Sequence, residues 1–322
     1  MPLHQNSHNW RLGLALSLVS VFLWGILPLA LKIVLQAIDA YTITWFRFLL
    51  SFLLLAIYLA NRQQLPKTHN LRSPTIKLLA LAIIGLAINY VLFVQGLALT
   101  SANNAEVLIQ IAPVAFGIGA IAIFKERYTI RQWLGLGVLI LGFTIFFHQQ
   151  ASNLVTTSIN YFIGSSLLVI AAFTWAIYAL AQKQLLQKLS SAQIMLFIYG
   201  GCALILTPIA RPQHILAMSP IQVGALLFCG LNTLLAYGAF AEALEHWEAS
   251  KISAVTASTP IVTYIAVWLV SSLAPALIPP EHLTLLAVLG AILVIVGSVT
   301  IALGKSSHTP KIERSIDIEQ PK

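Results

Sequence analysis

The sequence predicts an all-α integral membrane protein of ten transmembrane helices, arranged as two inverted five-helix repeats. Three observations carry that prediction. The 322 residues are 58% hydrophobic and only 9% charged, against about a quarter charged in an ordinary soluble domain, so one water-facing globule cannot hide the apolar surface. Ten apolar stretches have roughly the 20-residue length that a helix needs to cross hydrocarbon. Residues 11–147, finally, echo residues 159–304.

The stretches are 11–36, 41–60, 76–98, 103–123, 131–147, 159–182, 192–210, 219–244, 250–273 and 283–304. Each is read as a helix, because lipid offers no partner to an unpaired backbone group. The first is too long for the apolar region of a signal peptide and lacks a small-residue cleavage site, so it is the first span. With the N-terminus inside, the cytoplasmic segments hold 15 of the 18 Lys and Arg residues, leaving Lys32, Arg47 and Arg211 on or towards the other side. That bias predicts both termini in the cytoplasm. Residues 1–10 and 305–322 are then short cytoplasmic tails, the second polar and mixed in charge, as in a disordered segment. The net charge of +8 does not signal nucleic acid, since the basic residues sit in short loops and not along one polar face. Cys202 and Cys229 fall inside apolar runs, where isolated thiols serve as small packing residues.

The echo is residue-specific. Trp24 and Lys32 meet Trp175 and Lys183 at an offset of 151; Ala102 and Pro113 meet Ala249 and Pro260 at 147; Gly135 and Gly142 meet Gly290 and Gly297 at 155, the extra residues lying around Pro279. Five spans per half is an odd number, so the second half enters the membrane from the opposite face. Inverted halves of this kind can exchange conformations and turn an outward-open cavity inward.

The ten-span duplication, WFRF at 45–48, Pro113 followed by FKER at 124–127, and GLGVLILG at 135–142 resemble the drug/metabolite transporter superfamily, EamA type, over essentially the whole chain apart from the tails. The resemblance implies a small-metabolite exporter or exchanger of the inner membrane, with a central cavity lined by both repeats and amino acids or related amines as the first substrates to consider. No FKER counterpart follows Pro260, so that motif's role belongs to one half and is topological.

Charged groups inside spans mark candidate sites. Arg47 lies about two turns into the second span and Glu106 about one turn into the fourth, where a charge costs at least about 2.5–3.5 kcal/mol on insertion scales unless it pairs or lines a wet cavity. They either pair with each other or snorkel to the headgroups. Glu106 is the candidate to carry a coupling proton. Glu242 and Glu245, in the last turns of the eighth span, read as solvated end residues. Candidate substrate-binding groups are Trp24, Asn89, Tyr90, Gln110, Trp175, Tyr178, Asn232, Tyr237 and Tyr264, since aromatic faces with a few amides and phenols at mid-depth make up a small-molecule site. Each, singly, also fits interhelical packing. Pro28, Pro113 and Pro260 remove helical hydrogen bonds within spans and are candidate gating bends or fixed kinks. Gly135, Gly137, Gly142, Gly290, Ala291 and Gly297 let helices approach closely.

The catalytic inventory argues against an intramembrane enzyme. All eight histidines lie in tails, loops or span ends, and the two aspartates, Asp39 and Asp317, lie outside the core, so neither a serine–histidine pair nor an aspartate dyad can form in the membrane. No cofactor or metal is implied. The partners expected are a small-molecule substrate, the lipid bilayer and protons as coupling ion; monomer and homodimer both stay open. The residues thus point to a secondary transporter working by alternating access, with an uncoupled facilitator and a non-transporting membrane partner protein as the alternatives.

Overall fold

The structure, a computed structural model, describes residues 9–66, 73–125, 129–156, 159–274 and 285–302. The predicted tail 305–322, most of the N-terminal tail, the loop around Pro279, and Glu126 and Arg127 of the FKER motif lie outside the described residues.

Polar residues between the apolar runs start the helices where the sequence changes character. Asn9 caps α1 (Trp10–Val34). Asp39 caps α2 (Ala40–Asn61), accepting from the backbone N–H of Tyr41 and Thr42 at 3.0 Å each and from Thr42 Oγ1 at 2.7 Å. Ser101 caps α4 (Ala102–Leu108), which follows α3 (Ser73–Leu99). Ser190 with Gln193, and Ser219 with Gln222, form reciprocal capping boxes at α8 (Ser191–Leu206) and α9 (Pro220–His246). The remaining helices are α5 (Ile111–Phe124), α6 (Ile130–Thr156), α7 (Ile159–Leu185), α10 (Ala249–Thr256), α11 (Thr259–Leu273) and α12 (Leu285–Ala302).

Among the described residues, seven helical segments are long and apolar enough to cross a membrane, counting α4 with α5 and α10 with α11 as one each. Three shorter apolar helices lie at Ile130–Ile145, Ser191–Leu206 and Val288–Ile301. The seventh predicted span, 192–210, therefore ends early, and α6 runs past its predicted end at 147 to Thr156.

The predicted fourth and ninth spans are single apolar segments, Ala102–Phe124 and Ala249–Leu273, each divided by a tightened turn. Each breaks into two helices just before its proline, and the backbone there tightens to bonds three residues apart. At the first break Gln110 N donates to Val107 O at 3.1 Å and Ala112 N to Ile109 O at 2.8 Å. Pro113 has no N–H for the Ile109 carbonyl, and Ala112 supplies one in its place. At the second, Pro260 leaves the Thr256 carbonyl without a backbone donor, and the Thr259 hydroxyl donates to it at 2.6 Å. Such breaks survive at membrane depth only inside protein. All seven residues of α4 and all eight of α10 are indeed buried. Helix α1, by contrast, runs unbroken through Pro28.

Small residues bring the helices together. α3 packs along α7, α1 along α9, α2 against α8, and α6 along α12. In the last pair, a Cβ added at Gly135 would lie 3.0 Å from the Gly297 carbonyl, and one at Gly142 2.8 Å from that of Gly290. Gly137, predicted to share this seam, faces open space instead. Two buried polar bonds tie the longer pairs: Asn89 Nδ2 donates to Ala171 O at 2.8 Å, between α3 and α7, and Ser20 Oγ to Ala236 O at 3.0 Å, between α1 and α9. Cys202 and Cys229 are free and buried.

Glu242 and Glu245 do more than meet solvent. Glu245 Oε1 accepts from the Ser191 N–H at 2.7 Å, and Glu242 accepts from the Ser191 hydroxyl. Two carboxylates thus hold the first turn of α8, where the unpaired N–H groups and the helix dipole favour negative charge.

Candidate functional site

The helix breaks, the middles of α1, α3, α7 and α9, and the second turn of α2 converge on a cavity with about 80 Å³ of free space, room for a handful of water molecules. Its walls include nine of the predicted residues: Trp24, Arg47, Asn89, Tyr90, Glu106, Gln110, Pro113, Trp175 and Tyr237.

Aromatic rings make the larger part of the wall. Trp24 stands edge-on to Trp175, ring centroids 5.8 Å apart, and to Tyr237 at 5.0 Å; Tyr90 lies 5.3 Å from Tyr237. Phe116 and Phe240, fully buried, pack behind the tryptophans at 5.1–5.8 Å. These spacings are those of favourable ring pairs. The indole Nε1 of Trp24 finds no acceptor among the described residues.

The charged groups sit on the same cavity without touching. Arg47, 2% exposed, donates through Nε to Thr233 Oγ1 at 2.9 Å, and its guanidinium lies 4.3 Å from the centre of the Tyr90 ring. Glu106, 4% exposed, accepts from Gln110 Nε2 at 3.0 Å. No ion pair within 4 Å joins Arg47 and Glu106 among the described residues. Of the readings the sequence left open, pairing, lining a cavity or snorkelling, the geometry is that of two cavity-lining groups with separate partners. Gln110 Oε1, one turn beyond Glu106, has no partner among the described residues.

Other predicted residues lie elsewhere. Tyr178 is fully buried behind the wall, 6.2 Å from Trp175 and 6.0 Å from Tyr237, with its hydroxyl 3.7 Å from Met195 Sδ. Asn232 uses Nδ2 to bind Leu23 O at 2.6 Å, an interhelical contact. Tyr264 is buried in α11 away from the cavity, Pro28 is buried within α1, and Pro260 stands at the second break without lining the space. The wall also contains residues the sequence reading passed over: Leu27, Phe93, Ile109, Ala112, Thr256 and Thr259. Thr256 and Thr259 stand at the 147-residue offset from Ile109 and Ala112, so carrying the repeat across the prolines residue by residue finds them.

The EamA-like transporter family model matches residues 11–147 and 162–303. The chain belongs to the EamA-like transporter family. Among its relatives is a protein of Escherichia coli K12 named "Uncharacterized inner membrane transporter YhbE", 36% identical over 294 residues that cover 91% of this chain and 92% of the relative. An "Uncharacterized transporter" of Haemophilus influenzae is 33% identical, covering 91% and 95%. One solved crystal structure shares the fold at a TM-score of 0.68 and 14% identity, covering 90% of this chain and 97% of its own. This EamA-like chain is therefore a transporter by family, with relatives in the inner membrane, and family membership points away from an enzyme.

Proposed function

We propose that the chain is a ten-span secondary carrier that moves small metabolites, amino acids or related amines first among them, outward across the inner membrane by alternating access. Its halves, residues 11–147 and 159–304, are inverted repeats with both termini in the cytoplasm, and Glu106 carries the coupling proton.

The observation that carries this reading is the makeup of the cavity wall. Four pairs of repeat-equivalent residues face the same space: Trp24 with Trp175, Tyr90 with Tyr237, Ile109 with Thr256, and Ala112 with Thr259. A pocket on the axis relating two inverted halves has such a wall, and binding at that interface is how such carriers work. The helix pairing supports it too. Exchanging the halves turns the α3–α7 contact into the α1–α9 contact and maps α2–α8 and α6–α12 onto themselves. The same exchange maps the pair Asn89 and Ala171 onto Ala236 and Ser20, the two positions that are bonded in the other half. Seven long apolar segments, with three shorter apolar helices beside them, support a reading of ten spans.

The test is release from proteoliposomes loaded with amino acids, amines and nucleosides, read by mass spectrometry with and without an imposed pH gradient. Selective, saturable release that the gradient accelerates is the expected result. Release indifferent to the gradient would replace the coupled carrier by a facilitator. Retention of every solute by folded, inserted protein would overturn transport of these classes.

A further inference from the structure

We propose that Arg47 is the anchor for a carboxylate on the transported solute, and not the counter-ion of Glu106. The proposal rests on the carrier reading above and narrows its substrate class to carboxylate-bearing solutes.

A guanidinium in a membrane-spanning helix is costly unless something answers its charge. Arg47 is almost wholly buried, yet no carboxylate lies within 4 Å of it among the described residues, although Glu106 lines the same cavity. What surrounds it is neutral. Nε donates to the Thr233 hydroxyl oxygen; that hydroxyl donates in turn to Cys229 O at 2.8 Å, and the carbonyl one turn on, that of Thr233, accepts from Tyr199 OH at 2.9 Å. The guanidinium carbon lies over the Tyr90 ring, itself packed against Phe48 at a centroid distance of 4.4 Å. These contacts fix the orientation of the group and leave Nη1 and Nη2 without a hydrogen bond to any described residue. Two parallel N–H donors in a rigid plane fit the two oxygens of a carboxylate. A site built to receive that fork rejects an analogue that cannot supply the charge, because its own buried donors then stay unpaired.

The repeat supplies an internal contrast. The positions equivalent to Arg47 and Thr233 are Ile198 and Leu86, both buried and apolar. The helix packing of the other half is thus completed at these places without a guanidinium or a hydroxyl. Packing alone gives no reason for Arg47, and a ligand does.

The experiment measures binding of acid–amide pairs to the purified full-length protein in detergent by calorimetry: L-leucine with L-leucinamide, 4-aminobutyrate with 4-aminobutanamide, and isobutyrate with isobutyramide. At least one acid is expected to bind, with its amide weaker by about tenfold or more, a difference of about 1.4 kcal/mol. Arg47→Gln, which keeps a donor for Thr233, should bring acid and amide to within about twofold of each other, and Arg47→Lys should retain part of the gap. A merely structural arginine would change stability in both variants and leave the ratio alone. The proposal is overturned if acid and amide bind equally well to the unaltered protein, if Arg47→Gln keeps the discrimination, or if no acid binds at millimolar concentration. Flux of the same acids in proteoliposomes separates the two readings. An acid bound through Arg47 but not moved sinks the carrier and spares the anchor; an acid moved equally by Arg47→Gln does the reverse.

Discussion

At the cavity, the first half of the chain carries the charged and amide groups, and the second half offers only hydroxyls and rings. Arg47, Asn89, Glu106 and Gln110 stand at positions equivalent to Ile198, Ala236, Ser253 and Ala257, while the aromatic pairs Trp24 with Trp175 and Tyr90 with Tyr237 are kept in both. A duplicated fold needs matching helix contacts, and the rings and glycines supply them symmetrically. Charge in a shared pocket has no such need, since Arg47 and Glu106 line the same space whichever half they come from. Symmetry thus belongs to the framework and asymmetry to the chemistry.

Substitutions at equivalent positions can break that division. The largest effect is expected for Glu106→Gln, which should lower gradient-driven uphill flux at least about tenfold, as for a group acting directly in proton transfer. Ser253→Ala, its equivalent, should change flux less than twofold, because that hydroxyl only bonds Ser250 O within its own helix. Equal losses at both positions would remove the asymmetry.

Within the framework, Gly142→Leu forces a side chain against Val294 N and Gly290 O, both under 3 Å from the new Cβ. Overpacking of this kind costs about 1–3 kcal/mol, measured as a loss of thermal midpoint in detergent. Gly137→Leu meets nothing within 4 Å and should leave the midpoint unchanged.

The caps sharpen the comparison at a smaller scale. Asp39 and Ser190 occupy equivalent positions before α2 and α8, and removing either by Ala should cost about 1 kcal/mol at neutral pH. They differ in charge. Partial burial pushes the Asp39 carboxyl up, but the bonds from the Thr42 hydroxyl and from the Thr42 and Tyr41 N–H groups outweigh it and hold its pKa below the ordinary 3.8. Its stabilisation is therefore complete above that ordinary value and is lost as the pH falls through the lowered one. Acid should erase the difference between Asp39→Ala and the unaltered chain, and leave the cost of Ser190→Ala standing.

Smallest are the two exchange-related bonds. Asn89→Ala and Ser20→Ala should each cost about 0.6 kcal/mol, the average for such interactions in a membrane protein, by thermal unfolding. A much larger loss at Asn89 alone would make it a cavity residue first and a packing residue second.

Most of this was legible in the sequence where a residue violates the membrane's rules. Arg47, Glu106, Asn89 and Gln110 were conspicuous because lipid should reject them, and all four line the cavity. Tyr178 and Asn232 were conspicuous for the same reason and do not line it, since a polar group at mid-depth is answered equally well by a neighbouring helix as by a ligand. Sequence spacing gives depth along a span but not the direction a side chain faces. The broken spans were foreshadowed by Pro113 and Pro260 as bends only. A proline reports a missing donor, whereas a tightened turn that divides the helix also needs Ala112 N and the Thr259 hydroxyl to take up the freed carbonyls and complete burial to keep lipid away. Phe93 and Leu27 carried no signal, being apolar residues in apolar helices.

The ring cluster around Trp24 has an electrical consequence. Rings whose centroids stand 5–6 Å apart touch, so the faces that Trp24, Trp175, Phe116 and Phe240 turn towards one another leave no gap for a file of water behind the cavity wall. Protons move along such files, so a protein that opens for solutes must not keep one standing. On the carrier reading proposed above, this aromatic layer would serve as an insulator: a cell could keep a chemical passage in its membrane without short-circuiting the gradient that other proteins spend energy to maintain.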